Sequence, residues 1–206
     1  SQAGWLTRTI SVTTPGVGVI PPGREMAAGL VRPGDVARVN GVLGDHGATI
    51  LAARGDLALS SPIQSDCAAL GHLLDAVFAA APDARAARDL TRGGLASALN
   101  EIAGAAGCGI EIDETALPLR DEVAGMCEIL GLDPLYLANE GRVVIFVPEA
   151  QAEAALAAMR TQPEGQGAVI IGRATEAHPG LVQMRTPFGG ARIVDMLVGE
   201  QLPRIC

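Results

Sequence analysis

The sequence ends in a thiol. Its last residues are Pro203, Arg204, Ile205 and Cys206, and the stretch that begins at Gly199 has no strong helical period. A cysteine on a mobile arm can enter a pocket, react there and swing out again, so the pattern predicts an arm that carries a reactive group. The alternative is a frayed chain end in which the cysteine has no function, because chain ends are commonly disordered.

A glycine-rich segment, residues 88–94, leads straight into a predicted helix and favours phosphate binding. The first turn of a helix offers free N–H groups and the positive end of the helix dipole. Arg92 can hold a phosphate with its guanidinium fork, and Asp89 can hold a divalent metal that bridges phosphates. Capping and close backbone approach would come from Thr91, Gly93 and Gly94. The alternative is an ordinary capped loop whose glycines only form the turn.

A second polar run, Asn139, Glu140 and Gly141, lies directly before a hydrophobic strand. Substrates often bind at the ends of such strands in α/β-type sheets. Glu140 is therefore a candidate general base. The alternative is a turn with a solvated acid, since loops often carry single acidic residues.

A third segment, residues 44–49, places His46 near the start of a predicted short helix. A histidine there can contact an anion or a substrate, although single histidines are more often structural or solvated. Ser65 precedes the next predicted helix and is interpreted as its N-cap.

The composition excludes several classes of function. Aromatic residues are only 2% of the chain and the formal net charge is −8, so neither base stacking nor a basic nucleic-acid surface is expected. All 15 basic residues are arginines, which excludes a P-loop lysine, a Schiff base or a lysine general base within these residues. If the reaction needs a lysine, it must come from elsewhere.

The four cysteines form no CxxC pair and no Cys/His cluster, so a structural zinc site is not expected. Cys67, Cys108 and Cys127 sit among apolar residues and are interpreted as core thiols. The sequence shows neither a signal peptide nor an apolar run of transmembrane length. These features favour a reduced, cytoplasmic protein that does not enter a membrane.

Helical and strand patterns alternate from residue 44 onward and predict an α+β fold with a mixed sheet covered by helices. The predicted helices cover residues 24–30, 48–54, 66–80, 91–106, 120–130 and 149–160. The predicted strands cover residues 5–12, 36–42, 109–113, 142–147, 168–174, 181–185 and 192–197, the last two joined by a hairpin turn.

Five segments occur in the order found in one known family: residues 44–51, 65–68, 88–94, 139–141 and 203–206. Together they resemble the HypE family of hydrogenase maturation factors, the carbamoyl dehydratases, over nearly the whole chain from residue 13 onward. That family belongs to the superfamily of aminoimidazole ribonucleotide synthetase and selenophosphate synthetase. The resemblance implies three units: residues 1–40 as a remnant of the N-terminal ATP-binding domain, residues 41–198 as a three-layer α+β C-terminal domain, and residues 199–206 as a mobile tail.

The resemblance also implies a reaction that uses ATP and Mg²⁺. A partner, HypF, would place a carbamoyl group on Cys206, and ATP would phosphorylate the oxygen of that group. Loss of a proton and of phosphate would then leave a thiocyanate. The cyanide would pass to iron on a HypC–HypD complex, as a ligand of [NiFe]-hydrogenase. The full-length protein is expected to be a homodimer.

Individual residues take roles from the same resemblance. Glu140 would handle the proton, Asp89 would be the metal ligand, and Asn139 would orient the tail. Phosphate would be bound by Arg92, Gly93 and Gly94. His46 matches the family pattern without an assigned role. Because the lysine and the upstream acids of the family are missing from the sequence, the chain is expected to be inactive alone.

Two other functions remain open from the sequence. The chain could be a non-catalytic carrier and docking fragment that presents Cys206 to partner proteins. It could also be another ATP enzyme of the superfamily, such as selenophosphate synthetase or thiamine-phosphate kinase. The terminal residues 203–206 speak against this last function.

Overall fold

The strands of the described part of the chain form one mixed sheet. The computed structural model describes residues 15, 17–53 and 63–196. Its strands are β1 (Val36–Val39), β2 (Ala86–Asp89), β3 (Gly109–Asp113), β4 (Val143–Val147), β5 (Val169–Thr175), β6 (Val182–Arg185) and β7 (Ala191–Ile193). Its α-helices are α1 (Asp45–Ala53), α2 (Gly71–Ala80), α3 (Gly94–Ala106), α4 (Asp121–Leu130) and α5 (Ala152–Arg160).

The strand order in the sheet is β2-β4-β1-β5-β3-β6-β7. Neighbouring strands run antiparallel except β3 and β6, which run parallel. Strand β1 therefore lies inside the sheet, between β4 and β5, although the sequence assigns residues 1–40 to an upstream unit. We propose that the boundary of this domain lies before β1. The predicted strand 5–12 and the tail 199–206 lie outside the described residues.

Side chains alternate along β4 and divide the core into two layers. Val144 and Phe146 belong to the cluster that contains the buried side chains of α3. The side chains on the other face belong to the cluster that contains α2 and α5, and they are Val143, Ile145 and Val147. This is the period of two expected for a strand buried on both faces. Helices thus cover both faces of a mixed sheet, which confirms the predicted three-layer α+β fold.

A third, smaller cluster packs α1 against α4. Its buried members are Ala48, Leu51, Val123, Met126, Cys127 and Leu137. Because Leu137 comes two residues before Asn139, this cluster also holds α1 against the polar run that precedes β4.

Arg38 is fully buried in the middle of β1. Its register partners are Ile145 on β4 and Ile170 on β5, which lie in the layer of α2 and α5. Within the described part of the chain none of its three guanidinium nitrogens has a hydrogen-bond partner. Burial lowers the pKa of Arg38 to about 10, and the carboxylate of Glu153 on α5 opposes that shift.

Several predicted element boundaries differ from the structure. Helix α2 begins at Gly71 rather than at residue 66, because the side chain of Asp66 is bonded to another segment. Residues 86–89 form the edge strand β2, which is too short and too polar on its exposed side to show a pattern. Residues 24–30 contain only the 3-10 helix Ala28–Leu30. Among the described helices, none is long and apolar enough to cross a bilayer.

The cysteines divide into two groups. Cys108 and Cys127 are buried, as predicted, and burial raises the pKa of both thiols, that of Cys127 to about 11. Cys67 is exposed, so its interpretation as a core thiol is wrong. The reason is that it lies in the extended segment before α2 and not on the apolar face of a helix. Cys206 lies outside the described residues.

Candidate functional site

Asn139 connects the three polar segments that the sequence singles out. Its side-chain Oδ1 accepts a hydrogen bond from the backbone N–H of Gly44 at 2.8 Å, immediately before α1. Its backbone N–H donates to the carbonyl of Leu90 at 2.9 Å, and its side-chain Nδ2 donates to the same carbonyl at 3.2 Å. A further bond runs from Nδ2 to the carbonyl of Leu137 at 2.9 Å. The starts of α1 and β4 and the glycine-rich segment therefore meet at one buried amide.

The side chain of Asn139 is only 1% exposed, and its donors and acceptor are engaged within the protein. A buried amide that satisfies backbone groups from three segments fixes their geometry. Asn139 therefore holds the three segments of the candidate site together. That it orients the tail stays a prediction, because residues 199–206 lie outside the described part of the chain.

The glycine-rich segment packs tightly against the chain before the polar run. Gly94 has a φ of 60°, and a Cβ placed on it would lie 2.5 Å from the carbonyl oxygens of Leu135 and Leu137. No other residue fits there, because both the left-handed backbone and the close approach require glycine. The close backbone approach that requires glycine at position 94 is therefore an approach to residues 135–137 of the same chain.

Asp89 and Thr91 interact with each other at the end of β2. The Thr91 hydroxyl donates to Asp89 Oδ2 at 2.7 Å. The prediction that Thr91 caps α3 is therefore wrong, because its hydroxyl is bonded to Asp89 and Gly93 occupies the N-cap position with a φ of 75°. Arg92 is exposed and has no ion-pair partner among the described residues, which leaves its guanidinium available to an anion.

The carboxylate of Asp89 is 57% exposed and lies 3.8 Å from the guanidinium of Arg88. Within residues 17–53 and 63–196, no three His, Cys, Asp or Glu side chains come together as a metal site. Asp89 therefore fits Mg²⁺ only as one ligand of an ion that also binds phosphate oxygens and water, which is a common arrangement for this metal.

The backbone of Glu140 is held by Asp66, a residue predicted from the sequence to begin a helix. Asp66 Oδ1 accepts a hydrogen bond from the backbone N–H of Glu140 at 3.0 Å, and its Oδ2 lies 3.5 Å from Nε of Arg142. The backbones of Gly141 and Asp66 are also in close contact, because a Cβ placed on Gly141 would lie 1.9 Å from the carbonyl oxygen of Asp66. The signal for Asp66 is weak in the sequence, since an acid just before an apolar helical pattern is also typical of a helix start.

His46 is half-buried in the first turn of α1, and its Nδ1 lies 2.8 Å from the hydroxyl of Ser65. That hydroxyl also lies 3.1 Å from the sulfur of Cys67. The prediction that Ser65 is an N-cap is therefore wrong, because α2 begins six residues later and the hydroxyl is bonded to His46. Since Asp66 lies between Ser65 and Cys67, this group is adjacent to the segment that holds Glu140.

A separate cavity of about 220 Å³ lies beside the start of α1 and is lined by Ile63, Gln64, Arg120 and Glu122. Arg120 there donates to both carboxylate oxygens of the buried Asp45 at 3.1 Å. None of the sequence-predicted site residues lines this cavity. The polar groups around Asn139 and Asp66 are therefore the better candidate for a site.

Comparison with known proteins is consistent with this geometry. The carbamoyl dehydratase HypE of Rhodobacter capsulatus is 80% identical over 197 residues, which are 96% of this chain and 58% of that protein. The chain thus spans little more than half the length of the curated relatives it matches.

Solved structures match as well. A crystal structure of hydrogenase maturation protein HypE in complex with ATP superposes with a TM-score of 0.82 at 44% identity, covering 88% of this chain and 55% of that one. HypE in a HypE–HypF complex gives a TM-score of 0.78 at 39% identity, covering 82% of this chain and 55% of that one. A thiamine monophosphate kinase from Aquifex aeolicus, at 23% identity and a TM-score of 0.53, shares only the fold.

The family model for AIR synthase related protein, C-terminal domain, matches residues 32–184. This range begins just before β1 and ends within β6, so it includes the three segments that meet at Asn139. Because the model covers well over half of the sequence, the chain belongs to the AIR synthase related proteins, as a member of their C-terminal domain family.

Proposed function

We propose that this chain supplies the C-terminal domain and the carrier cysteine of an ATP-dependent carbamoyl dehydratase that acts in [NiFe]-hydrogenase maturation. The observation that carries the proposal is the junction at Asn139, which brings a candidate base and a candidate phosphate-binding segment to one place. The 80% identity to a protein named carbamoyl dehydratase supports the same reaction.

In the proposed reaction Cys206 carries a carbamoyl group as a thioester-like S–C(=O)–NH₂. The γ-phosphoryl group of ATP moves to the carbonyl oxygen, which turns a poor leaving group into phosphate. The nitrogen loses its first proton to water in this step, which leaves S–C(=NH)–O–phosphate. Glu140 then takes the second proton from nitrogen as the C–O bond to phosphate breaks, and the carbon becomes a nitrile on sulfur. The products are ADP, phosphate and the thiocyanate of Cys206, so the net change on the tail is the loss of one water.

The nucleotide would be bound at the end of β2 and the start of α3. The exposed guanidinium of Arg92 suits a phosphate, and Thr91, Gly93 and Gly94 form the turn beside it. Asp89 would supply one oxygen to Mg²⁺, and that ion would offset the negative charge of the phosphates. His46 lies on α1, two residues after Gly44, whose N–H is bonded to Asn139, and the proposed reaction assigns it no step.

The rest of the machinery is expected from a longer protein. The chain has no lysine, and it spans 58% of the HypE relative from R. capsulatus. We therefore expect this chain alone to bind ATP weakly and to lack dehydratase activity. In the whole protein we propose HypF as carbamoyl donor, a HypC–HypD complex as cyanide acceptor, and a homodimer as the assembly; the HypE–HypF complex of a relative supports the first of these.

The proposal is tested by locating the carbamoyl group. With HypF, carbamoyl phosphate and ATP, peptide mapping by mass spectrometry should find a single adduct on the C-terminal peptide. Cys206→Ala should remove the adduct and leave the thermal unfolding midpoint unchanged, because a terminal residue adds little buried surface. An adduct on Cys67, Cys108 or Cys127 would refute the role of Cys206.

A further inference from the structure

A thiol, a hydroxyl and an imidazole form a cluster on the surface beside the candidate site. Ser65 Oγ lies 2.8 Å from His46 Nδ1 and 3.1 Å from Cys67 Sγ. The sulfur itself lies 4.0 Å from Nδ1. The cluster joins two segments, since His46 is on α1 and the other two residues lie in the extended segment before α2. The dehydration proposed above uses none of these contacts.

We propose that Cys67 is a second reactive thiol of this protein, with His46 as its proton acceptor and Ser65 as the relay, and that it takes low-molecular-weight disulfides such as oxidised glutathione. Three observations support the assignment. Cys67 is exposed, it has a base within reach through one hydroxyl, and the two other described cysteines are buried among apolar side chains. Thiol reactivity depends on both access and loss of the thiol proton.

The proposed step is thiol–disulfide exchange. The proton of Cys67 passes to the Ser65 hydroxyl while the hydroxyl proton passes to Nδ1 of a neutral His46 that carries its own proton on Nε2. The thiolate attacks one sulfur of the incoming disulfide, so one S–S bond forms as another breaks. The departing glutathione thiolate takes the proton back from the imidazolium, and the products are a mixed disulfide on Cys67 and one free thiol.

The position of Cys67 gives this exchange a consequence. Its neighbour Asp66 holds the backbone N–H of Glu140 through a buried carboxylate. A glutathionyl group on Cys67 would add a charged tripeptide beside that segment. The cluster therefore places an oxidant-sensitive group at the rim of the candidate site.

The experiment uses the chain with Cys206→Ser, so that Cys67, Cys108 and Cys127 are its remaining thiols. After incubation with oxidised glutathione at neutral pH, mass spectrometry should show one glutathionyl adduct, on the peptide that contains Cys67. Added Cys67→Ser should abolish the adduct. No adduct, or an adduct chiefly on Cys108 or Cys127 of the folded protein, would overturn the proposal.

The activation by His46 is tested by rate. His46→Gln should slow adduct formation at Cys67 by about tenfold or more, since a positioned base typically contributes at least that much. Ser65→Ala should slow the reaction in the same direction. His72→Gln is the matched control, because His72 lies on α2 with its Nε2 against Glu164 and should leave the rate unchanged. A parent-like rate in both His46→Gln and Ser65→Ala would show that the cluster does not activate the thiol.

Discussion

The carboxylate of Asp66 holds the backbone N–H of Glu140 across 74 residues of sequence, with 3.0 Å between Oδ1 and N. The Asp66 side chain is only 1% exposed, and Arg142 is its nearest cation, at 3.5 Å. A buried carboxylate is costly unless cations and N–H groups compensate it, so these partners are held in fixed positions. The backbone of Glu140 is therefore held in place by a long-range hydrogen bond, and the residue itself is half-buried.

This geometry predicts that Glu140→Gln in the full-length protein slows dehydration and leaves the fold unchanged. The change is isosteric and leaves the backbone bond to Asp66 in place, so folding and carbamoylation of Cys206 should be unchanged. Dehydration should slow by ~10²–10⁴-fold, because the amide cannot accept the proton from nitrogen. The measurement is the mass of the C-terminal peptide over time, in which thiocyanate formation appears as loss of one water.

Glu176→Gln provides the control, because Glu176 is an exposed acid that follows β5 directly. The Glu176→Gln protein should dehydrate the carbamoylated tail at the parent rate. If Glu140→Gln also does so, Glu140 is a solvated loop acid and the base lies in another domain.

Asn139→Ala should destabilise the domain strongly. The substitution leaves the N–H of Gly44 and the carbonyl of Leu137 without their bonds to this side chain. Buried groups left unsatisfied cost about 1–3 kcal/mol each, so a loss of about 3 kcal/mol in the free energy of unfolding is expected. Urea unfolding of the parent and the variant measures it. Asn139→Asp should be no more stable than Asn139→Ala, because a buried carboxylate oxygen would face the carbonyls of Leu90 and Leu137 in place of an N–H donor. Equal stability of Asn139→Ala and parent would contradict the structural role of this amide.

Arg38→Met should stabilise the domain. The guanidinium lies buried without a hydrogen-bond partner in the described part of the chain, and burial lowers its pKa to about 10. An apolar side chain of similar length removes that desolvation cost, and replacing buried ionic groups by apolar ones typically gains roughly 1–4 kcal/mol when it is favourable. Chemical unfolding at pH 7 tests this. Arg173→Met, on the exposed surface of β5, should have little effect; a destabilised Arg38→Met would show that the guanidinium has a partner in the folded protein.

Cys127 should make the domain lose stability at alkaline pH. Burial raises the pKa of its thiol from the ordinary 9.0 to about 11, so the folded state holds the proton more tightly than the unfolded chain. The resulting stabilisation is fully present below pH 9 and is lost as the pH rises through about 11. Unfolding free energies measured from pH 8 to 11.5 should therefore fall less steeply in Cys127→Ala than in the parent. Parallel curves for the two proteins would refute a buried neutral thiol.

Local signals in the sequence were sufficient for much of the fold. The predicted helix 120–130 ends at Gly131, which adopts a left-handed φ of 65° at the C-cap and accounts for the stop. The hairpin before residue 192 is present as the antiparallel pair β6 and β7. The all-apolar run of β4 correctly indicated a strand buried on both faces.

Side-chain contacts that compete with helix capping, some long-range and some local, explain the predictions that were wrong. Asp66 resembles the first acid of a helix, and only the distant N–H of Glu140 draws it out of that role. Thr91 resembles a cap, but the neighbouring carboxylate of Asp89 competes for its hydroxyl. Cys67 follows an apolar spacing that would bury it if the helix began where the pattern starts. The partner that decides the side chain's position is 74 residues away for Asp66 and only two residues away for Thr91.

The central place of β1 sets an order of events during synthesis of the chain. Val36–Val39 is translated before both of its sheet partners, β4 and β5, which end at Val147 and Thr175. The bond between Gly44 and Asn139 likewise closes a separation of 95 residues. Non-local pairing of this kind folds slowly, because chain-closure entropy is spent before the contacts form. We therefore expect the sheet to stay incomplete until β4 and β5 have been translated, with β1 exposed to other chains or to chaperones in the interval.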